Sequence, residues 1–138
     1  SYIKHDQTVI LSVMAARTDL ETDLALDLIK EIDPLGKRTL GILTKVDLMN
    51  VNTDISNYLS NTISKDLQLS YGYYALKNRS SKERETLTIL EGIQLEKSFF
   101  QNHPVYKKNE FTKSSYTFFS FNSSIYTNFN NNILKNYE

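Results

Sequence analysis

The 138-residue chain carries 16 Lys and Arg against 16 Asp and Glu, a formal net charge of zero that gives no basic face for nucleic acid. It has no cysteine, which excludes disulfides and zinc–thiolate sites, and its longest apolar run, residues 8–16, falls well short of the ~20 residues of a membrane span. Hydrophobic residues make 40% and charged residues 23%, which suits one modest core and leads us to expect a soluble intracellular domain or a piece of one. No signal-peptide pattern opens the chain, and its start at Ser1 suggests residues upstream.

Taken in chain order, residues 8–13 form a short continuous apolar run, which predicts a strand buried on both faces. Thr22 or Asp23 can cap a following helix whose inward stripe is Ala25, Leu28, Ile29 and Ile32, ended by Pro34 and Gly36. Residues 39–44 repeat the strand pattern. Asn52 or Thr53 can cap a second helix with Ile55, Tyr58, Leu59 and Thr62 or Ile63 inward, and residues 72–76 make a third strand. A last helix from near Glu85 to Phe100, with Ile89, Leu90, Ile93 and Phe100 inward, should stop before Pro104. Strand and helix in alternation predict an α/β fold with three mostly parallel strands. Three strands are few for a doubly wound domain, so residues 1 to about 100 read as the second half of a larger one.

Beyond Lys107 the pattern fails. All seven Phe lie from Phe99 onward, yet residues 114–138 show no clean period, and the tail is expected to be irregular or disordered.

Ligands of open α/β sheets sit beyond the carboxyl ends of the strands. The second strand ends in Thr44-Lys45-Val46-Asp47 and the third runs into Asn78-Arg79-Ser80, two loops that should lie side by side. Guanine presents a ring N–H and an exocyclic amine, and one carboxylate such as Asp47 accepts both. Adenine has no such donor pair. The aliphatic stem of Lys45 can lie along the base, and backbone N–H groups between Asn78 and Ser80 can donate to the guanine carbonyl. The competing reading is a surface lysine beside a helix-capping aspartate.

Five blocks make a wider resemblance: residues 15–20 (AARTDL), 31–41 (EIDPLGKRTLG), 44–49 (TKVDLM), 77–80 (KNRS) and 99–104 (FFQNHP). In order and spacing, from about Tyr2 to Lys113, the chain resembles the dynamin family of large GTPases. The resemblance implies that residues 1–113 are the C-terminal half of a dynamin-type GTPase domain, part of a P-loop-type GTPase fold, followed by a divergent tail at 114–138. It implies GTP as substrate, with Thr44, Lys45 and Asp47 as the guanine-specificity motif and Asn78, Arg79 and Ser80 as the second base-contacting loop. Asn50 stands where members can carry a further polar residue beside the base. Ser81 replaces a glutamine of animal dynamins, which puts a contact there in doubt. Asp19 falls in a loop that in this family approaches a partner GTPase domain, a candidate dimer contact.

The 138 residues hold no Gly-x-x-x-x-Gly-Lys-Ser/Thr, and Asp33-Pro34-Leu35-Gly36 imitates a switch motif but follows a helix. No catalytic residue and no metal ligand is therefore assigned. The Mg2+ that the family implies, the phosphate loop and the switches are expected upstream of Ser1, so this chain alone should not hydrolyse GTP above background. In the intact family, GTP hydrolysis drives membrane remodelling or fission by a cytoplasmic protein peripheral to membranes. Contacts to membrane or cytoskeleton would come through regions outside this chain. The alternative is a non-catalytic interaction module, or a decayed or frameshifted fragment, docking on a complete dynamin-like protein. His5 and His103 have no partners at ligand spacing, and the acidic residues Asp19, Glu21, Asp23, Asp27 and Asp33 read mostly as a solvated helix start.

Overall fold

The computed structural model describes residues 2–17, 19–50 and 52–107. The tail at 114–138 lies outside the described residues. Three strands, β1 (Ile10–Ala15), β2 (Thr39–Thr44) and β3 (Tyr73–Leu76), form one sheet in the order β1-β2-β3, every pair parallel. Because side chains alternate along each strand, register decides the faces. Ile10 pairs with Thr39 and Ala15 with Thr44, while Gly41 pairs with Tyr73 and Thr44 with Leu76.

One face carries Met14, Leu43, Tyr73 and Ala75 into the core, where they meet Leu26, Ile29, Ile55, Tyr58, Ile63, Leu67, Phe100 and Tyr106. The central strand is buried along most of its length, as its unbroken apolar run requires. On the other face the expectation for β1 fails: Leu11 and Val13 are 53% and 58% exposed. β1 borders the sheet among the described residues, so that face of it has no covering element, whereas Leu40 and Ile42 beside it on β2 are buried.

The helices follow their caps. α1 (Leu24–Ile32) starts where the Asp23 carboxylate accepts the Ala25 N–H at 2.9 Å. It buries Leu26 and Ile29, leaving Leu28 exposed, so the apolar stripe is shifted from the expected one. The second expected helix is much shorter. α2 (Ser56–Leu59) begins with the Asp54 carboxylate accepting the Ser56 N–H, and ends within a turn because Asn61 takes a left-handed conformation with φ 56°. Ile55, Tyr58 and Ile63 still reach the core.

The last expected helix is α4 (Ile89–Asn102), which starts later than near Glu85, and α3 (Ser81–Thr86), mostly ahead of the expected start, was not foreseen; each starts with a reciprocal cap, Ser80 with Glu83 for α3 and Thr88 with Glu91 for α4. The second cap interrupts the chain at 87–88, and Ile89 and Leu90 then lie on the exposed first turn of α4 rather than inward. α4 ends at Asn102, with His103 as its C-cap directly before Pro104. His103 serves the turn: its Nδ1 accepts the N–H groups of Val105 and Tyr106, and its ring stacks on Tyr106 at 4.1 Å.

Candidate guanine-recognition site

All three strands run in the same direction, so their carboxyl ends deliver the loops that follow Ala15, Thr44 and Leu76 to one edge of the sheet. The end of β2 is tied to β1 twice. Thr44 Oγ1 donates to the Met14 carbonyl at 3.1 Å, and the Thr44 carbonyl accepts the Ala16 N–H at 2.8 Å.

Lys45 then turns the chain with φ 59° and ψ 31°, the left-handed conformation, which costs a non-glycine residue on the order of 1 kcal/mol. That turn sends Val46 into the core and leaves Lys45 exposed. The Leu48 N–H donates to the Lys45 carbonyl at 3.0 Å and closes the 3-10 turn Val46–Leu48. Asp47 sits on this turn with its side chain 24% exposed. Asn50 is exposed, and its carbonyl accepts both the N–H and the hydroxyl of Thr53.

The second loop leaves β3 at Leu76, the register partner of Thr44. The Lys77 N–H donates to Glu96 Oε1 of α4 at 2.9 Å. The Lys77 ammonium lies 4.0 Å from Asp47 Oδ2 and 3.6 Å from Glu83 Oε1, so one side chain spans both loops. Burial pushes the Glu96 carboxyl up, an effect partly offset by the N–H and the charge of Lys77. Glu83 is held below the usual range, first by the Ser80 N–H and hydroxyl and then, against some desolvation, by the Lys77 charge.

Asn78 is exposed at this edge. Arg79 turns its side chain away: its guanidinium donates to the Leu87 carbonyl and its stem lies on Gly92 of α4, where an added Cβ would come within 2.6 Å of Arg79 Cδ. Arg79 thus pins the loop to the α3–α4 junction. The Ser80 N–H donates to Glu83 Oε2 at 2.7 Å, so of the backbone donors expected to meet a guanine carbonyl, this one is already bound. Ser81 is exposed on the first turn of α3, its Oγ accepting from Arg84 at 3.2 Å. Asp19 stands on the loop after β1, exposed and 3.6 Å from Arg17 Nε.

The arrangement offers a carboxylate open to solvent on one side and backed by an ammonium on the other. Such a carboxylate can accept two N–H donors from a planar base. Among the described residues no three of His, Cys, Asp or Glu come together as a metal site. Sequence reasoning missed Lys77, Glu83 and Glu96 as part of this edge. The Ser80-x-x-Glu83 spacing was the one available signal, since it marks a capping box.

Comparison with known proteins gives a consistent result. The dynamin family model matches residues 1–46, and the model of the dynamin central region matches residues 54–118. The gap between the two matches falls between β2 and α2, inside a single core. Dynamin-A of Dictyostelium discoideum is 40% identical over 108 residues, covering 78% of this chain and 12% of that protein. Vacuolar protein sorting-associated protein 1 of Schizosaccharomyces pombe is 41% identical over 106 residues, covering 76% and 15%. Dynamin of Drosophila melanogaster is 41% identical over 107 residues, covering 77% and 12%. This chain therefore spans about an eighth of the length of such relatives. With two neighbouring dynamin matches, identities near 40% and a three-stranded parallel α/β sheet, the chain belongs to the dynamin family of large GTPases.

Proposed function

We propose that this chain carries the guanine-recognition half of a dynamin-type GTP site, with residues 1–113 forming the C-terminal half of the GTPase domain. Asp47 accepts the ring N–H and the exocyclic amine of guanine. Lys45 lies along the base, Thr44 fixes the strand end, and the loop of Asn78, Arg79, Ser80 and Ser81 borders the base on the other side, with Asn50 at the rim. Asp19, on the third loop of the same edge, is the candidate contact to a second GTPase domain. The observation that carries this reading is the convergence of the Asp47 turn and the loop after β3 at one sheet edge, bridged by Lys77.

The phosphates are gripped elsewhere, because these 138 residues contain no phosphate-loop motif. Hydrolysis of GTP, with its Mg2+, belongs to the whole GTPase, as do assembly into dimers or oligomers and work on membranes from the cytoplasmic side. The chain alone recognises a base and turns over nothing. A base contact of this kind contributes ~1–3 kcal/mol, so affinity of the chain for a free nucleotide is in the millimolar range or weaker.

The test exploits donor–acceptor exchange. Asp47→Asn replaces one acceptor oxygen with an amide donor, which suits the carbonyl that xanthine carries where guanine has its amine. Ligand-observed NMR titrations of the chain should show guanosine monophosphate preferred over xanthosine monophosphate, and Asp47→Asn should reverse the order. Equal binding of the two nucleotides by the unaltered chain, or an order indifferent to Asp47→Asn, would overturn the reading.

A further inference from the structure

We infer that Lys77 is a positioning residue for base specificity: its ammonium, held between Asp47 and Glu83, sets the plane of the Asp47 carboxylate so that both oxygens face the two donors of guanine. The inference rests on the proposed guanine site and goes beyond it, because Lys77 itself need not touch the base.

The geometry is specific. The Lys77 side chain is only 11% exposed, whereas an ordinary lysine keeps its ammonium in water. It is drawn in by carboxylates from separate segments: Asp47 on the turn after β2, Glu83 on α3, and Glu96 on α4, which takes its backbone N–H. Glu83 is used on both oxygens. Oε2 accepts the Ser80 N–H at 2.7 Å, and Oε1 faces the Lys77 ammonium at 3.6 Å. Lys77 therefore cannot swing freely; the α3 cap fixes Glu83, and Glu83 fixes Lys77. Arg79 is committed to the Leu87 carbonyl and Arg84 to Ser81 Oγ.

The ammonium lies 4.0 Å from Asp47 Oδ2, an ion-pair distance that leaves the lone pairs of the carboxylate available. A carboxylate on a freely rotating side chain offers one good acceptor to a base in most orientations. A carboxylate held by one oxygen from behind presents both. Lys77 thus acts where guanine differs from hypoxanthine, which keeps the ring N–H but lacks the exocyclic amine.

The experiment compares guanosine monophosphate with inosine monophosphate on the full chain by ligand-observed NMR, with folding of each variant followed by circular dichroism. Lys77→Gln should lower the guanine-to-hypoxanthine preference by about fivefold, mostly through weaker guanine binding, and Lys77→Arg should restore it. A structural role alone would weaken both nucleotides equally, and that result overturns the inference while leaving the guanine site standing. Tighter guanine binding by Lys77→Gln overturns it too, since Lys77 would then be a competitor of the base. No guanine preference in the unaltered chain overturns both readings. Should Lys77→Gln fail to fold, the unaltered chain decides. Its Lys77 Nζ resonance should shift with guanosine monophosphate and stay in place with adenosine monophosphate; an unmoved resonance at saturating guanosine monophosphate refutes the inference.

Discussion

Replacing Gly41 with alanine probes how tightly the sheet that carries the site is packed. Gly41 is the centre of β2 and pairs with Tyr73 of β3. A Cβ at Gly41 would stand 2.3 Å from Tyr73 Cδ1 and 2.6 Å from Cε1, where carbon atoms prefer ~3.5–4.0 Å. The ring cannot retreat cheaply. Tyr73 is 2% exposed, its hydroxyl donates to the Leu67 carbonyl at 2.7 Å, and its ring meets Tyr58 edge-on at 5.2 Å. Overpacking of this kind costs ~1–3 kcal/mol, and a ring pushed off its hydrogen bond adds ~1 kcal/mol. The lower entropy of an unfolded alanine returns ~0.4–1 kcal/mol. The net expectation is a loss of about 2–3 kcal/mol, a large share of the ~5–15 kcal/mol that holds a typical domain. Urea unfolding followed by circular dichroism should show the midpoint falling by about 1 M or more, given slopes of ~1–3 kcal/mol/M. In a Tyr73→Leu background the same substitution should cost about 1 kcal/mol less, because the ring that it strikes is gone. A midpoint within ~0.3 M of the unaltered chain would refute the reasoning.

Two further outcomes follow from buried polar groups. Asp33 is buried, with its carboxylate accepting Thr39 Oγ1 at 2.7 Å and the Lys37 and Arg38 N–H groups at 3.0 Å; burial alone would raise its pKa, but these bonds and the Arg38 charge outweigh it and hold it below the usual range. Its stabilisation is therefore present above the unfolded value near 4 and lost as pH falls through the depressed folded value, so Asp33→Asn should cost about 2 kcal/mol at neutral pH and progressively less below about pH 4. Urea midpoints measured at pH 7 and pH 3 check this, and a constant gap would contradict it. Tyr106→Phe removes the hydroxyl that accepts the buried Ile55 N–H at 3.2 Å, and an orphaned buried donor costs ~1–3 kcal/mol. Thermal melting should show the loss, and hydrogen exchange should show the Ile55 amide losing protection more than the sheet amides; an unmoved melting temperature would contradict it.

The strands were legible because their residues are unambiguous. The run Thr39–Thr44 is bounded by a turn on one side and a charged loop on the other, and it is the strand found. Helix lengths were less legible, since apolar spacing alone does not show where a cap interrupts. Thr88 fits a helix interior by pattern, yet with Glu91 it forms a capping box and starts a new helix. Likewise Ile55, Tyr58 and Ile63 share a stripe that looks helical, although Asn61 breaks the helix between them. The burial of β1 was misread for a different reason: an apolar run tells which residues can be covered, and only tertiary structure tells which of them are. For the site, the motif Thr44-Lys45-Val46-Asp47 was visible, while the inward lysine at 77 was not. A lysine beside Asn78 and Arg79 reads as surface charge until the fold sets Glu83 and Glu96 around it.

That distinction bears on how a weak base contact becomes a specific one. Ordering a long side chain on binding costs ~0.5–1.5 kcal/mol, which is comparable to the ~1–3 kcal/mol that the base contact returns. A site whose side chains were free in the unbound state would retain almost nothing of its specificity. Here the ordering is made during folding instead. The left-handed Lys45 turn, the Thr44 hydroxyl on the Met14 carbonyl, the Ser80–Glu83 cap and the largely covered Lys77 each fix one of the two loops. Their cost appears as backbone strain at Lys45 and as desolvation of an ammonium at Lys77, and it is offset by the core that the two loops cap. On the proposed reading, specificity at this edge rests on the contacts that support the two loops as well as on the groups that meet the base, so substitutions at Lys77 and Glu83 should erode the choice of base before they unfold the chain.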